Sequence, residues 1–201
     1  VKINCSLFAH GMLILSVQVP LHAVELGSEM RIDKPSRGGA VPWPQPGGTM
    51  CAKADEIVFS CPLDKSKKTV SMCASGNVAG GTGRFYYSYG HEGSPELVYP
   101  ASGESPDGAF TRTHLGFAGN TGGYAYGFSN QGFKYTIYSI SGERSLQSGG
   151  VIVQRASDSK IVAKMSCQAG KIAETESDPI IDATLKWKSD STIESNGLPT
   201  R

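Results

Sequence analysis

The sequence predicts an all-β fold, an antiparallel β-barrel or β-sandwich of about eight to nine strands braced by disulfides. Three observations carry that expectation. Gly (25) and Pro (11) are frequent in a 201-residue chain of which only 18% is charged, a balance that favours turns and strands over long helices. Short segments rich in Val, Ile, Thr and aromatic residues follow one another between turn-forming clusters. Cys51, Cys61, Cys73 and Cys167 fall along that succession, an even set suited to two disulfides.

The chain opens with Lys2, an apolar stretch from Leu7 to Val19, and small Ala23, the order of a signal peptide's charged, apolar and cleavage regions. Residues 1–23 are therefore expected to be a leader. Cleavage after Ala23 removes Lys2 alone among the charged residues and takes Cys5 with it. The mature chain is then balanced in charge, with paired cysteines suited to an oxidising compartment, periplasmic or secreted. The leader is too short and interrupted for a comfortable membrane span, and none is expected in the mature chain. Residues 24–50, with Arg37-Gly38-Gly39 and Pro42-Trp43-Pro44-Gln45-Pro46-Gly47-Gly48, lack apolar periodicity and are expected to form a linker.

The all-β domain is expected over residues 51–169. Its strands are Glu56 to Cys61, Lys68 to Ala74, Arg84 to Tyr89, Glu96 to Tyr99, Phe110 to Phe117, Gly123 to Phe128, Phe133 to Ile140, Val151 to Arg155 and Lys160 to Cys167. Phe85, Tyr87 and Tyr89 alternate with Tyr86 and Ser88, and Ile161, Ala163, Met165 and Cys167 alternate with Val162, Lys164 and Ser166, so each strand has an apolar face and a more polar one. Asp64-Lys65-Ser66-Lys67, Ser129-Asn130-Gln131-Gly132 and Ala156-Ser157-Asp158-Ser159 supply hairpin turns. Residues 170–201 are polar, with an apolar patch at Ile180, Ile181, Leu185 and Trp187. They form a tail that either docks as a strand or short helix or stays free.

A turn over residues 64–67 places Cys61 opposite Val70 and Cys73 opposite Val58. The two cysteines then stand roughly 10 Å apart along the strand, too far for a bridge. The favoured pairs are Cys61 with Cys167 and Cys51 with Cys73, although a wider loop would allow Cys61 to reach Cys73.

The formal charge of +1 and the absence of a long basic run leave no footprint for nucleic acid. His91 and His114 stand outside any nucleophile-elbow, zinc-protease or phosphate-loop motif, so no enzyme, metal or cofactor is expected. Glu92, Glu96, Glu104 and Asp107 read as a solvated loop face or as a surface for a basic partner protein. Thr121-Gly122-Gly123-Tyr124 reads either as a tight turn entering a strand or as a protruding loop that offers a hydroxyl and a phenol to a partner.

Phe59-Ser60-Cys61, Thr121-Gly122-Gly123-Tyr124, Lys134 and Met165-Ser166-Cys167 occur in the order of an early cysteine-bearing strand, a glycine loop before Tyr, a later basic residue and a closing cysteine strand. Over about residues 55–168 that order resembles the periplasmic and membrane-bound lysozyme inhibitors of Gram-negative bacteria. The resemblance implies a non-enzymatic protein that inserts the Thr121 to Tyr124 loop into a glycoside hydrolase cleft, with Lys134 beside it, where a hydroxyl and a cation meet the two catalytic carboxylates. Thr121 stands where the family carries Ser, and Cys51 and Cys73 are additional. An envelope immunity protein that neutralises another secreted toxin on the same scaffold is the alternative.

Overall fold

The computed structural model describes residues 48–75, 77–101 and 108–200. The expected leader, most of the expected linker, and Glu104 and Asp107 lie outside the described residues. The architecture is a sandwich of two five-stranded antiparallel sheets. The first has the order β10-β1-β2-β3-β4, built from β1 (Glu56–Pro62), β2 (Thr69–Ser75), β3 (Arg84–His91), β4 (Ser94–Tyr99) and the two-residue β10 (Ala173–Glu174). The second is a meander of β5 (Thr111–Phe117), β6 (Thr121–Asn130), β7 (Phe133–Gly142), β8 (Leu146–Arg155) and β9 (Ile161–Ser166). Each segment expected from the sequence is a strand. β10 and two short helices, α1 (Asp178–Leu185) and α2 (Ser191–Asn196), are added to them.

The alternation along each strand decides which residues meet between the sheets. Phe59, Leu63, Met72, Phe85, Tyr87, Ile137 and Val151 are sealed from solvent in one continuous core. At its centre Phe85 meets Phe110, Tyr126 and Trp187 with ring centres 5.2, 5.3 and 4.7 Å apart. Phe128 is stacked on Tyr99 at 4.3 Å and on Tyr135 at 4.7 Å. The opposite residues of the second sheet, Leu115, Ala125, Tyr138 and Ile152, form a smaller cluster with Ile193 of α2. Part of the second sheet's outer face is thus covered by α2.

The sheets are joined along one edge. Leu63 bridges to Cys167, the Asp64 amide donates to the Ser166 carbonyl at 2.8 Å, and the Gln168 amide donates to the Pro62 carbonyl at 2.9 Å. The Cys61–Cys167 disulfide spans this junction. Among the described residues no ladder joins β4 to β5, so the sandwich does not close into a barrel.

Cys51 is bonded to Cys73 on the outer face of the first sheet. Ser60, Ser71 and Ser88 stand side by side across β1, β2 and β3, and residues 49–51 run against this line, with the Met50 amide donating to Ser71 at 3.0 Å. Small side chains there let a chain segment lie close to the sheet. The expected pairing of Cys73 with Val58 is shifted by one residue. A bulge between Ile57 and Phe59 puts Cys73 opposite Ile57, while Cys61 stays opposite Val70, because a bulge sets two residues against one and slips the register beyond it.

The segment after Gly170, set apart above as a polar tail, docks in both of the ways it allowed. Ala173 and Glu174 pair with Ser60 and Phe59, and Ile180, Trp187 and Ile193 pack against the two clusters. Among the described residues no helix is long and apolar enough to cross a membrane.

The buried phenols give this fold a defined alkaline limit. Burial is the leading cause that raises Tyr86, Tyr87, Tyr124, Tyr126, Tyr135 and Tyr138 above the usual value of 10.0. A phenol whose folded pKa lies above its unfolded one stabilises the fold fully below the unfolded value, and that stabilisation is lost as pH rises towards the folded value. Melting temperature is therefore expected to fall progressively above about pH 10. Thermal melts with disulfides intact, from about pH 8 to about pH 11, check this; an unchanged midpoint contradicts it.

Candidate functional site

Residues 121–124 are not a protruding loop. The β5–β6 turn is Ala118-Gly119-Asn120, and Thr121 already pairs with Phe117. Gly122 and Gly123 lie between β5 and β7, opposite Gly116 and Leu115 on one side and Ser141 and Ile140 on the other. A Cβ on Gly123 would stand 1.9 Å from the Ser139 carbonyl oxygen. This glycine serves close strand packing inside the sheet, where any side chain collides with backbone. Thr121 donates its hydroxyl back to the Gly119 carbonyl at 3.2 Å.

Lys134 is also placed otherwise than expected. It pairs with Ser129 near the β6–β7 turn, eight residues along the strand from Thr121, or roughly 26 Å at the strand rise. Its ammonium makes an ion pair with Asp190. Asp190 in turn caps α2 by accepting from the Thr192 and Ile193 amides at 3.0 and 3.3 Å. The cation thus fastens the C-terminal segment to the sheet, and Thr121 and Lys134 do not share a site. His91 lies exposed at the β3–β4 turn and His114 lies exposed on β5. Glu96 forms a 2.7 Å ion pair with Lys68, which partly neutralises the acidic face read from the sequence.

Two of the expected partner-binding side chains line concave sites: Lys134, with its partner Asp190, borders a hollow of about 250 Å³ beside Phe128, and Tyr124 enters another. A cleft of about 390 Å³ opens where β5, β6 and β7 face β10 and the start of α1, inside the usual range for small-molecule sites. Arg112 of β5, Tyr124 and Tyr126 of β6, and Ser139 of β7 form one wall. Glu174, Glu176 and Ile181 form the other, so the tail supplies half of the site.

Arg112 is fixed by its surroundings. It follows Phe110 on the strand face that looks between the sheets, and its backbone amide donates to the Lys188 carbonyl at 3.0 Å. Its guanidinium carbon lies 5.3 Å from the Tyr124 ring centre and 6.0 Å from that of Tyr126, close enough for cation–π attraction. Its Nε is buried and without a hydrogen-bond partner. Among the described residues no carboxylate approaches its nitrogens within the 4 Å of an ion pair. A buried donor left unpaired costs about 1–3 kcal/mol, and the same guanidinium, which acts on the Tyr126 hydroxyl by charge and hydrogen bond, belongs to a side chain that lines the cleft.

The facing wall is organised by hydrogen bonds. The Tyr124 hydroxyl donates to Glu174 at 2.5 Å. Burial is the main cause that pushes this phenol well above 10.0, with the Glu174 charge adding to it and Arg112 opposing it. The Tyr126 hydroxyl meets the Thr184 hydroxyl at 3.3 Å, and Thr175 is hydrogen-bonded to Glu56. The result is a cleft lined by one cation on β5, one carboxylate on β10 and a second, exposed one on the segment between β10 and α1, together with the hydroxyls of Ser139 and Thr175.

Sequence reasoning passed over Arg112 and Glu174. The readable sign for Arg112 is its place in Phe110-Thr111-Arg112-Thr113-His114-Leu115, where alternation puts a charge on the face that Phe110 buries. Glu174 carried no local sign, because its position depends on the docking of the tail. Comparison with family models, with curated proteins and with solved structures returns no match to this chain.

Proposed function

We propose that this chain is an exported, non-enzymatic binding protein that receives its ligand in the cleft around Arg112, Tyr124 and Glu174. The observation that carries this reading is the Arg112 Nε, buried beside a cleft and lacking an acceptor. Export is supported by the charged, apolar and small-residue order of the first 23 residues and by two disulfides, which persist in oxidising compartments.

The hydrolase-inhibitor reading rests on the resemblance, and its proposed contact residues change. A loop that enters another protein's cleft must stand clear of its own fold, whereas residues 121–124 lie between two strands and Tyr124 is turned inward. An inhibitor of this shape would have to use another surface. The cleft reading makes the protein the receiver of a ligand instead of the inserting partner.

The Arg112 Nε–H resonance is a direct reporter, since burial slows its exchange with water. Titration of the purified chain, disulfides formed, with amino acids, short peptides, monosaccharides and several lysozymes is expected to move that signal together with the Gly123 and Ser139 amides. Inhibition of a lysozyme with no change at these three positions would place binding elsewhere and remove the cleft as the site.

A further inference from the structure

Resting on the cleft being the binding site, we propose that its ligand is a small zwitterion of the amino-acid or short-peptide class, with its carboxylate on Arg112 and its ammonium between Glu174 and Glu176. The charges select this class. One guanidinium faces two carboxylates across the cleft, so a simple anion gains Arg112 but meets the repulsion of both Glu residues. A simple cation gains the Glu residues and leaves the Arg112 Nε unpaired. A ligand with both signs, spaced by a few bonds, answers each wall.

The directional groups agree with this choice. A guanidinium offers a planar fork of donors that matches a carboxylate, and the rings of Tyr124 and Tyr126 hold the Arg112 fork in one place. Glu174 is held by the Tyr124 hydroxyl through one oxygen at 2.5 Å, which fixes its carboxylate. Thr175 and Ser139 hydroxyls and the Gln147 amide also line the cleft, as groups able to meet the N–H and C=O of a peptide bond. A sugar is a poorer match, because ring stacking needs an open aromatic face and Arg112 lies over that of Tyr124.

The test uses four probes on the purified chain with both disulfides formed: alanyl-alanine, its N-acetyl form, its C-terminal amide, and glucose. Calorimetry is run beside the Arg112 Nε–H signal. Alanyl-alanine is expected to bind and shift that signal, and each blocked form to bind at least about tenfold more weakly, the loss of a charge-assisted contact. Arg112→Gln should abolish the penalty of the C-terminal amide, and Glu174→Gln should reduce the penalty of N-acetylation. Should either variant fail to fold, the comparison of blocked and free probes on the unaltered chain still decides. Equal binding of the blocked forms, or a shift of the Arg112 signal by glucose alone, would overturn the zwitterion and leave the cleft as the site. No response of that signal to any probe, together with none in the broader panel above, would overturn both.

Discussion

Truncation after Gly170 is expected to leave a chain without a cooperative native state. The removed segment carries Ile180 and Ile193, 7% and 3% exposed, and Trp187, which meets Phe85 at 4.7 Å, Phe110 at 6.0 Å and Tyr126 at 6.1 Å. Burial of each such side chain is worth about 1.5–3 kcal/mol, so the three together contribute about 5 kcal/mol or more. That is comparable with the whole stability of a typical domain, about 5–15 kcal/mol. The loss is uneven in space. It uncovers the rings of Phe85, Phe110 and Tyr126 at the centre of the core, and it strips Leu115 and Ile152 on the outer face of the second sheet. It also releases Lys134 from Asp190 and removes Glu174 from Tyr124. Urea titration followed by near-ultraviolet circular dichroism is expected to show a broad, early transition and dye-binding apolar surface. A truncated chain that unfolds sharply within about 1 kcal/mol of the full one would show that the segment is a passive tail.

What the sequence made legible divides along physical lines. The strands were readable because each half-buried segment repeats its apolar residues with period two between turn formers, and that signal is local. The Gln131-Gly132 turn, where both residues take positive φ, is the kind that joins strands directly. β10, α1 and α2 were not readable. A two-residue strand has no period, and helices of eight and six residues are too short to show one; their formation follows from docking. The glycines at 122 and 123 suggested a loop because glycine serves both turns and close backbone packing, and only the neighbouring strands decide between these. Lys134 looked like an available cation because its partner, Asp190, is distant in sequence. Arg112 left the one readable trace of the cleft, a charge on an apolar strand face.

The double substitution Cys61→Ala with Cys167→Ala is expected to destabilise the protein more than Cys51→Ala with Cys73→Ala. In the chain-entropy model the stabilisation grows with the loop closed, and the two bridges close very different loops, with sequence separations of 106 and 22. The model assigns about 5 kcal/mol to the longer and about 3 kcal/mol to the shorter. Location acts in the same direction. Cys61 lies sealed in the core, at the edge where Leu63 bridges to Cys167 and the two sheets share hydrogen bonds, so its loss frees the sheets from each other. Cys73 sits on the other face of β2, alternating with the core residues Met72 and Ala74, and ties only residues 48–52 to the outside of one sheet. That difference of face also separates Cys61 from Cys73 more firmly than their spacing along the strand, since Cys61 stands opposite Val70 and an odd number of residues further along β2 reverses the face. Equilibrium urea unfolding of the two double variants, with midpoint and slope compared, reads the difference. Equal losses, or a larger loss from the shorter bridge, would show that the junction of the sheets is held by its hydrogen bonds and packing without help from the disulfide.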